Sequence, residues 1–182
     1  RIVDENYLNE NLVVLCEILL DWTSIRNITI PLLEESSMCS ATTRNVFCKL
    51  IKKIGDSFPE INFSFEAELG TKELLEIVSL CDNFYVTYDT GNITSYGLEH
   101  SEYIRFFADK INNVHLKDRT FDAKTVSPLR GDTDFETIFK ELNKIGYEGC
   151  YILQTARSET GKEKQTIMAH KKIFEDLYEK FV

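Results

Sequence analysis

The sequence has no cluster of lysines and arginines, and its 21 basic residues are outnumbered by 30 acidic ones, for a formal charge of -9. Recognition of a phosphate backbone needs a basic face, so nucleic acid is excluded as a partner, and any anionic ligand must be held by a few local cations. Long apolar runs are missing too. The longest, such as Leu12-Val13-Val14-Leu15-Cys16, fall far short of the ~20 residues that cross a bilayer. Nothing resembles a signal peptide, so no membrane partner and a cytoplasmic location are expected. Paired cysteines are absent: the five stand at positions 16, 39, 48, 81 and 150, and an odd, unpaired set suits reduced thiols rather than a disulfide framework. Cys48, Cys81 and Cys150 read as core packing. No linker or low-complexity tract interrupts the chain, which predicts one domain over 1–182. A methionine is lacking at the first position, where Arg1 stands, and this reads as a processed chain or a piece of a longer one.

What is present is the 43% hydrophobic and 28% charged content of a soluble globular protein. The pattern alternates helical and strand periods. Residues 5–23 carry Leu8, Leu12, Leu15, Leu19 and Trp22 at helical spacing, and Ile28 to Leu33 follow as a short strand. A polar loop leads to a second helix bearing Val46, Leu50, Ile51 and Ile54, which Gly55 and Pro59 end. The strand Ile61 to Glu68 alternates strictly, with Ile61, Phe63 and Phe65 on one face and Asn62, Ser64, Glu66 and Glu68 on the other. A third helix opens at Gly70-Thr71, Phe84 to Asn92 form strand and turn, and Ser101 to Ile111 form a fourth helix. Asn112 to Arg119 read as a strand with Val114 and Leu116 on one face and His115 and Lys117 on the other. After a Gly/Pro loop, Thr133 with Glu136 forms a capping box, and Phe135, Ile138, Phe139, Leu142 and Ile145 form the stripe of its helix. The strand Cys150 to Gln154 and a final helix from Glu163 to Phe181 complete the chain. A helix followed by strand-helix repeats implies parallel strands and an α/β fold.

Four consecutive strands carry a polar residue near the C-terminal end, on the face opposite the bulky apolar ones: Glu66, Asp89, His115 and Gln154. In a closed parallel barrel such residues meet above the core, where active sites of that architecture sit. An open doubly wound sheet would spread them along an edge and would offer a Gly-rich phosphate turn, which is absent. Two carboxylates, an imidazole and an amide oxygen suit one divalent ion such as manganese, zinc, cobalt, magnesium or iron. Taken singly, an Asp before Thr-Gly-Asn is ordinarily a turn former, and a strand histidine is ordinarily a hydrogen-bonded core residue. The shared strand phase of the four argues for a site. Lys117, Arg119, Arg130 and Arg157 are the nearby cations. Arg157, just past Gln154, suits a phosphate or carboxylate at the rim, and equally an ordinary surface position. His100 and His170 are assigned no role, the first as a helix-start residue and the second as an exposed helix residue.

At these residues the sequence resembles the xylose isomerase-like TIM barrels of the sugar phosphate isomerase/epimerase group. The segments that carry the resemblance are Phe65-Glu66 with Glu68-Leu69, Tyr88-Asp89-Thr90-Gly91-Asn92, Val114-His115-Leu116-Lys117-Asp118-Arg119, and Asp134-Phe135 through Gly146-Tyr147-Glu148-Gly149 to Leu153-Gln154-Thr155-Ala156-Arg157, with Ile30-Pro31-Leu32 fitting as well. The resemblance implies a (β/α)8-type barrel, incomplete here: eight units need about 250 residues, and five strands are present, so the chain reads as the C-terminal portion. A cut barrel exposes sheet edges, which a partner chain or a homo-oligomer would cover. It also implies a metal held by Glu66, Asp89 and His115, with Gln154 standing where the family has a second glutamate. Glu66 would be the base, with Lys117 assisting, and Glu68, Asn92, Lys117, Arg119 and Arg157 would contact a sugar or sugar phosphate. Glutamine offers a carbonyl oxygen but carries no proton at neutral pH, which favours one-base isomerisation over two-base epimerisation. The loop Leu129-Arg130-Gly131-Asp132 also departs from the family, which has two nearby glycines there. The expectation is a metal-dependent isomerase or epimerase working by proton transfer next to a carbonyl. Its rival is a noncatalytic sugar- or protein-binding barrel fragment that has lost the second catalytic glutamate. A zinc endonuclease of the same superfamily would need more than the three histidines present.

Overall fold

A computed structural model describes residues 2–182. The elements are α1 (Glu5–Leu8), a π-helical turn (Asn9–Val13), α2 (Val14–Trp22), β1 (Asn27–Leu32), α3 (Ala41–Ser57), β2 (Asn62–Ala67), α4 (Thr71–Val78), β3 (Phe84–Asp89), α5 (Thr90–Ser95), α6 (His100–Phe107), β4 (Ile111–Leu116), β5 (Asp118–Arg119), β6 (Thr125–Val126), α7 (Phe135–Lys144), β7 (Cys150–Leu153) and α8 (Glu163–Phe181). The fold is α/β, with a five-stranded sheet in the order β1-β2-β3-β4-β7. The barrel is not closed: β1 and β7 each have one strand neighbour among the described residues. No described helix is long and apolar enough to cross a membrane.

The chain divides into two compact units, the first ending at Thr87 and the second starting at Tyr88. In the first, β1, β2 and the start of β3 run parallel, with Ile28 opposite Phe63 and Phe63 opposite Phe84. Its core is a ring cluster in which Phe65 meets Phe47 and Phe84 edge-on at 6.1 and 5.2 Å. Strand β2 is buried on both faces, Ser64 and Glu66 included, as strands of a parallel barrel are.

In the second unit, β4 pairs in parallel with β7, setting Asn113 opposite Cys150 and His115 opposite Ile152. Helix α6 packs on α7 and α7 on α8, and Tyr151 of β7 meets Phe139 of α7 and Tyr178 of α8, each at 5.7 Å. Tyr88 stacks on Tyr103 at 5.6 Å, and Phe135 meets Phe174 at 5.0 Å. The strand face shared by Cys150 and Ile152 is exposed, although Ile152 is in register with buried His115.

Several local readings are corrected. The cap of α7 is Asp134, whose carboxylate accepts from Thr137 N. Thr133 is instead drawn inward, its hydroxyl accepting from Arg119 N at 3.2 Å and from Thr94 Oγ1 at 3.1 Å. His170 is buried rather than exposed. Cys150 is exposed, Cys48 and Cys81 are half-buried, and the fully buried thiol is Cys16. Trp22, at helical spacing from Leu15 and Leu19, is 82% exposed.

Candidate functional site

Asp89 is the last residue of β3 and the cap of α5, and both roles act through one carboxylate. Its Oδ1 accepts from Asn92 N at 2.8 Å, satisfying a free donor of the first helical turn. Its Oδ2 faces Lys117 Nζ at 3.4 Å and His115 Nδ1 at 3.9 Å. Lys117 Nζ also lies 3.5 Å from Asn92 Oδ1. Asp89, Asn92, His115 and Lys117 are all buried. Alternation along β4 explains the pairing: His115 and Lys117 project together while Val114 and Leu116 enter the core.

Thr90 fastens the end of β3 to the end of β4. Its hydroxyl accepts from Lys117 N at 2.9 Å and donates to Lys117 O at 2.6 Å. Gly91 then leaves room for the Lys117 stem, since a Cβ there would stand 2.9 Å from Lys117 Cγ and 3.0 Å from Arg119 Cγ. Arg119 is half-buried, with Nη1 3.4 Å from Ser95 Oγ and Nε 3.4 Å from Thr125 Oγ1. Buried Asp118 accepts from Arg130 N at 3.0 Å, Gly131 N at 2.9 Å and Thr133 N at 3.3 Å, which folds the loop after β6 back onto the strand end.

A second layer supports this wall. Thr94 Oγ1 donates its single proton to the Thr90 carbonyl at 2.9 Å or to Thr133 Oγ1, so it accepts from His100 Nε2 at 3.0 Å. His100 Nδ1 then accepts from the Tyr88 hydroxyl at 2.5 Å. Burial pushes the His100 imidazole down to about 4 and the Tyr88 phenol well up, so both stay neutral at pH 7.

Gln154 follows β7, its backbone N donating to Leu116 O at 3.1 Å. Its Oε1 is buried without a hydrogen-bond partner among the described residues. Gln154 and exposed Arg157 line a cavity of about 500 Å³ with Thr155, Glu163 and Thr166. In the first unit, Glu66 ends β2 buried at 6% exposure, in register with Pro31. Glu68 lies beyond the strand and is exposed. The second unit therefore brings together Asp89, Asn92, His115 and Lys117, places Arg119 beside α5 and β6, and sets Arg157 on the cavity after β7. Sequence reasoning missed Thr90, His100 and Asp118. Thr90 and Asp118 stand in the segments that carry the resemblance, beside Asp89 and Lys117, but nothing in the sequence marked His100.

The chain belongs to the xylose isomerase-like TIM barrel family, whose model matches residues 47–175. It is 29% identical over 104 residues to the inosose dehydratase of Clostridium perfringens, covering 46% of this chain and 35% of that protein. With the inosose dehydratase of Clostridium tetani it shares 25% identity over 151 residues, covering 68% and 51%. The chain thus spans about half or less of the length of these curated relatives. Among solved structures, the IolI protein with a bound zinc atom superposes with a TM-score of 0.78 at 19% identity, over 98% of this chain and 73% of that one. A D-tagatose 3-epimerase-like protein gives 0.72 at 18% identity, over 98% and 73%. These superpositions establish the fold.

Proposed function

We propose that the chain is the site-bearing portion of a metal-dependent enzyme that moves a proton next to a carbonyl in a small sugar or sugar phosphate. The observation that carries this reading is the buried Asp89 carboxylate, whose Oδ2 faces both His115 and Lys117. A divalent ion fits the donors: Glu66, Asp89 and His115 are buried groups of the right types, and Gln154 Oε1 is a buried oxygen without a hydrogen-bond partner among the described residues. Glu66, Asp89, His115 and Gln154 would hold the ion, which when bound would polarise substrate oxygens as a Lewis acid.

The rest falls to the side chains of the chain. Glu66 serves as the base that takes the proton. Gln154 cannot return a proton to the opposite face, because an amide does not titrate near neutral pH. One base on one face suits a 1,2-shift between carbonyl and hydroxyl carbons. It equally suits loss of water after the same first step, and the inosose dehydratase relatives favour that second reading. Lys117 supports the oxygen that gains charge, Glu68, Asn92 and Arg119 contact hydroxyl groups, and Arg157 holds an anionic group at the rim.

The test is exchange of a carbon-bound hydrogen with D2O, followed by NMR, for a panel of ketoses, ketose phosphates and keto-inositols with added Mn2+ or Zn2+. Exchange that vanishes in Glu66→Gln is the expected outcome. Saturable sugar binding with no exchange would replace this reading by the noncatalytic one.

A further inference from the structure

Asp89 has two oxygens and one is already committed. Oδ1 is held at 2.8 Å by Asn92 N as the cap of α5. The other, Oδ2, is approached by Lys117 Nζ at 3.4 Å and by His115 Nδ1 at 3.9 Å. Both Lys117 contacts, to Asp89 Oδ2 and to Asn92 Oδ1 at 3.5 Å, are long for hydrogen bonds. The ammonium is thus shared between two acceptors and locked to neither. Its stem lies against Gly91, where a Cβ would stand 2.9 Å from Lys117 Cγ, so the absence of a side chain there is what admits the lysine beside Asp89. A divalent ion taking Asp89 Oδ2 as a ligand must sit beside this ammonium. Two cations a few ångströms apart, in a site where Asp89, His115 and Lys117 are all buried, repel far more strongly than they would in water.

We infer that Lys117 sets the metal affinity of the site: it is a tethered cation that competes with the divalent ion for Asp89 Oδ2. With that oxygen given up to the ion, the Lys117 ammonium keeps Asn92 Oδ1 and turns its remaining donors to a substrate oxygen. The inference rests on the metal reading given above. It also explains why a lysine is buried here beside a carboxylate oxygen that the ion requires. The cation that competes with the ion for Asp89 is the one that later neutralises charge on the substrate.

The experiment is a Mn2+ titration of the whole chain against a competing chelating dye, without substrate, for the unaltered protein, Lys117→Met, Lys117→Arg and Asp89→Ala. Removing the charge while keeping the stem volume should tighten Mn2+ binding by about tenfold or more. Lys117→Arg should stay within about threefold of the unaltered protein, because it keeps the charge, and Asp89→Ala should abolish binding. Lys117→Gln, which retains a polar head for Asn92, is the companion if the Met variant melts early. Affinity in the neutral variants that is equal to or weaker than that of the unaltered protein overturns the inference and leaves the metal reading standing. Mn2+ binding that appears only in the neutral variants supports it. Failure of every protein to bind Mn2+ or Zn2+ overturns the metal reading and this inference together.

Discussion

Thr90 shows how much of the site hangs on one hydroxyl. It accepts from the Lys117 amide, donates to the Lys117 carbonyl and lies 3.2 Å from the His115 carbonyl, so it fixes the ends of the strands that carry Asp89 and His115. Thr90→Val keeps the shape and leaves a buried N–H without its acceptor, which costs about 2 kcal/mol. Urea unfolding should show that loss, together with weaker Mn2+ binding. A variant of unchanged stability would mean that the ladder alone holds the two ends. The contrast with Lys117 shows what a sequence reveals at this scale. His115 and Lys117 were legible because alternation is local and fixes their common face. Thr90 and His100 were not, because their partners lie 27 and 12 residues away along the chain and no periodicity encodes such contacts. Thr133 misled for the same reason: a serine- or threonine-led box is a good cap signal, but tertiary partners at Arg119 and Thr94 claimed the hydroxyl first.

Among the elements, length decided what could be foreseen. Helices α3, α7 and α8 run for 17, 10 and 19 residues, long enough for a 3.6-residue period to repeat and declare itself. Helix α5 spans six residues and the β5–β6 pair two residues per strand, too short for any period, so α5 was read as turn and loop, β6 as loop, and β5 as the end of the preceding strand. Yet these short pieces shape the site. Helix α5 exists because Asp89 caps it, and the β5–β6 pair is followed by a loop that Asp118 gathers through three backbone donors. Charge-assisted bonds of this kind are worth about twice neutral ones. Asp118→Ala should therefore free the loop from Ser127 to Thr133, with a loss of roughly 3 kcal/mol. Faster hydrogen exchange at the Arg130, Gly131 and Thr133 amides, with α8 unaffected, is the expected result. Unchanged protection there would show that the bond from Asp132 N to Arg119 O at 2.9 Å and that from Arg119 N to the Thr133 hydroxyl suffice.

For the whole molecule, the parallel α/β architecture was legible because each strand of the five-stranded sheet is joined to the next through a helix, and the count of those strands matched. What the pattern could not give was the burial of groups that look polar on paper, and acid stability follows from that burial. His100 titrates near 4 inside the fold, pushed down by burial and partly drawn back by Asp134, whereas in the unfolded chain it titrates near 6.5. The unfolded state thus binds this proton first, so the contribution is complete above about pH 6.5 and is lost as the pH falls to about 4, some 3 kcal/mol in all. Glu141 behaves as an acid in the same sense. Held by Arg105 at 2.8 Å and Lys144 at 2.6 Å, its carboxyl falls from the usual 4.5 to about 2, and its contribution is lost between those values. Stability should therefore decline in two stages on acidification, the first due mainly to His100 and the second to Glu141. Urea midpoints between pH 7.5 and 3 resolve the stages. His100→Gln can still accept from Tyr88 and donate to Thr94, and it should flatten the first stage while leaving the second. A first stage of full size in that variant would assign the loss to other groups, His170 foremost, since burial lowers its titration too.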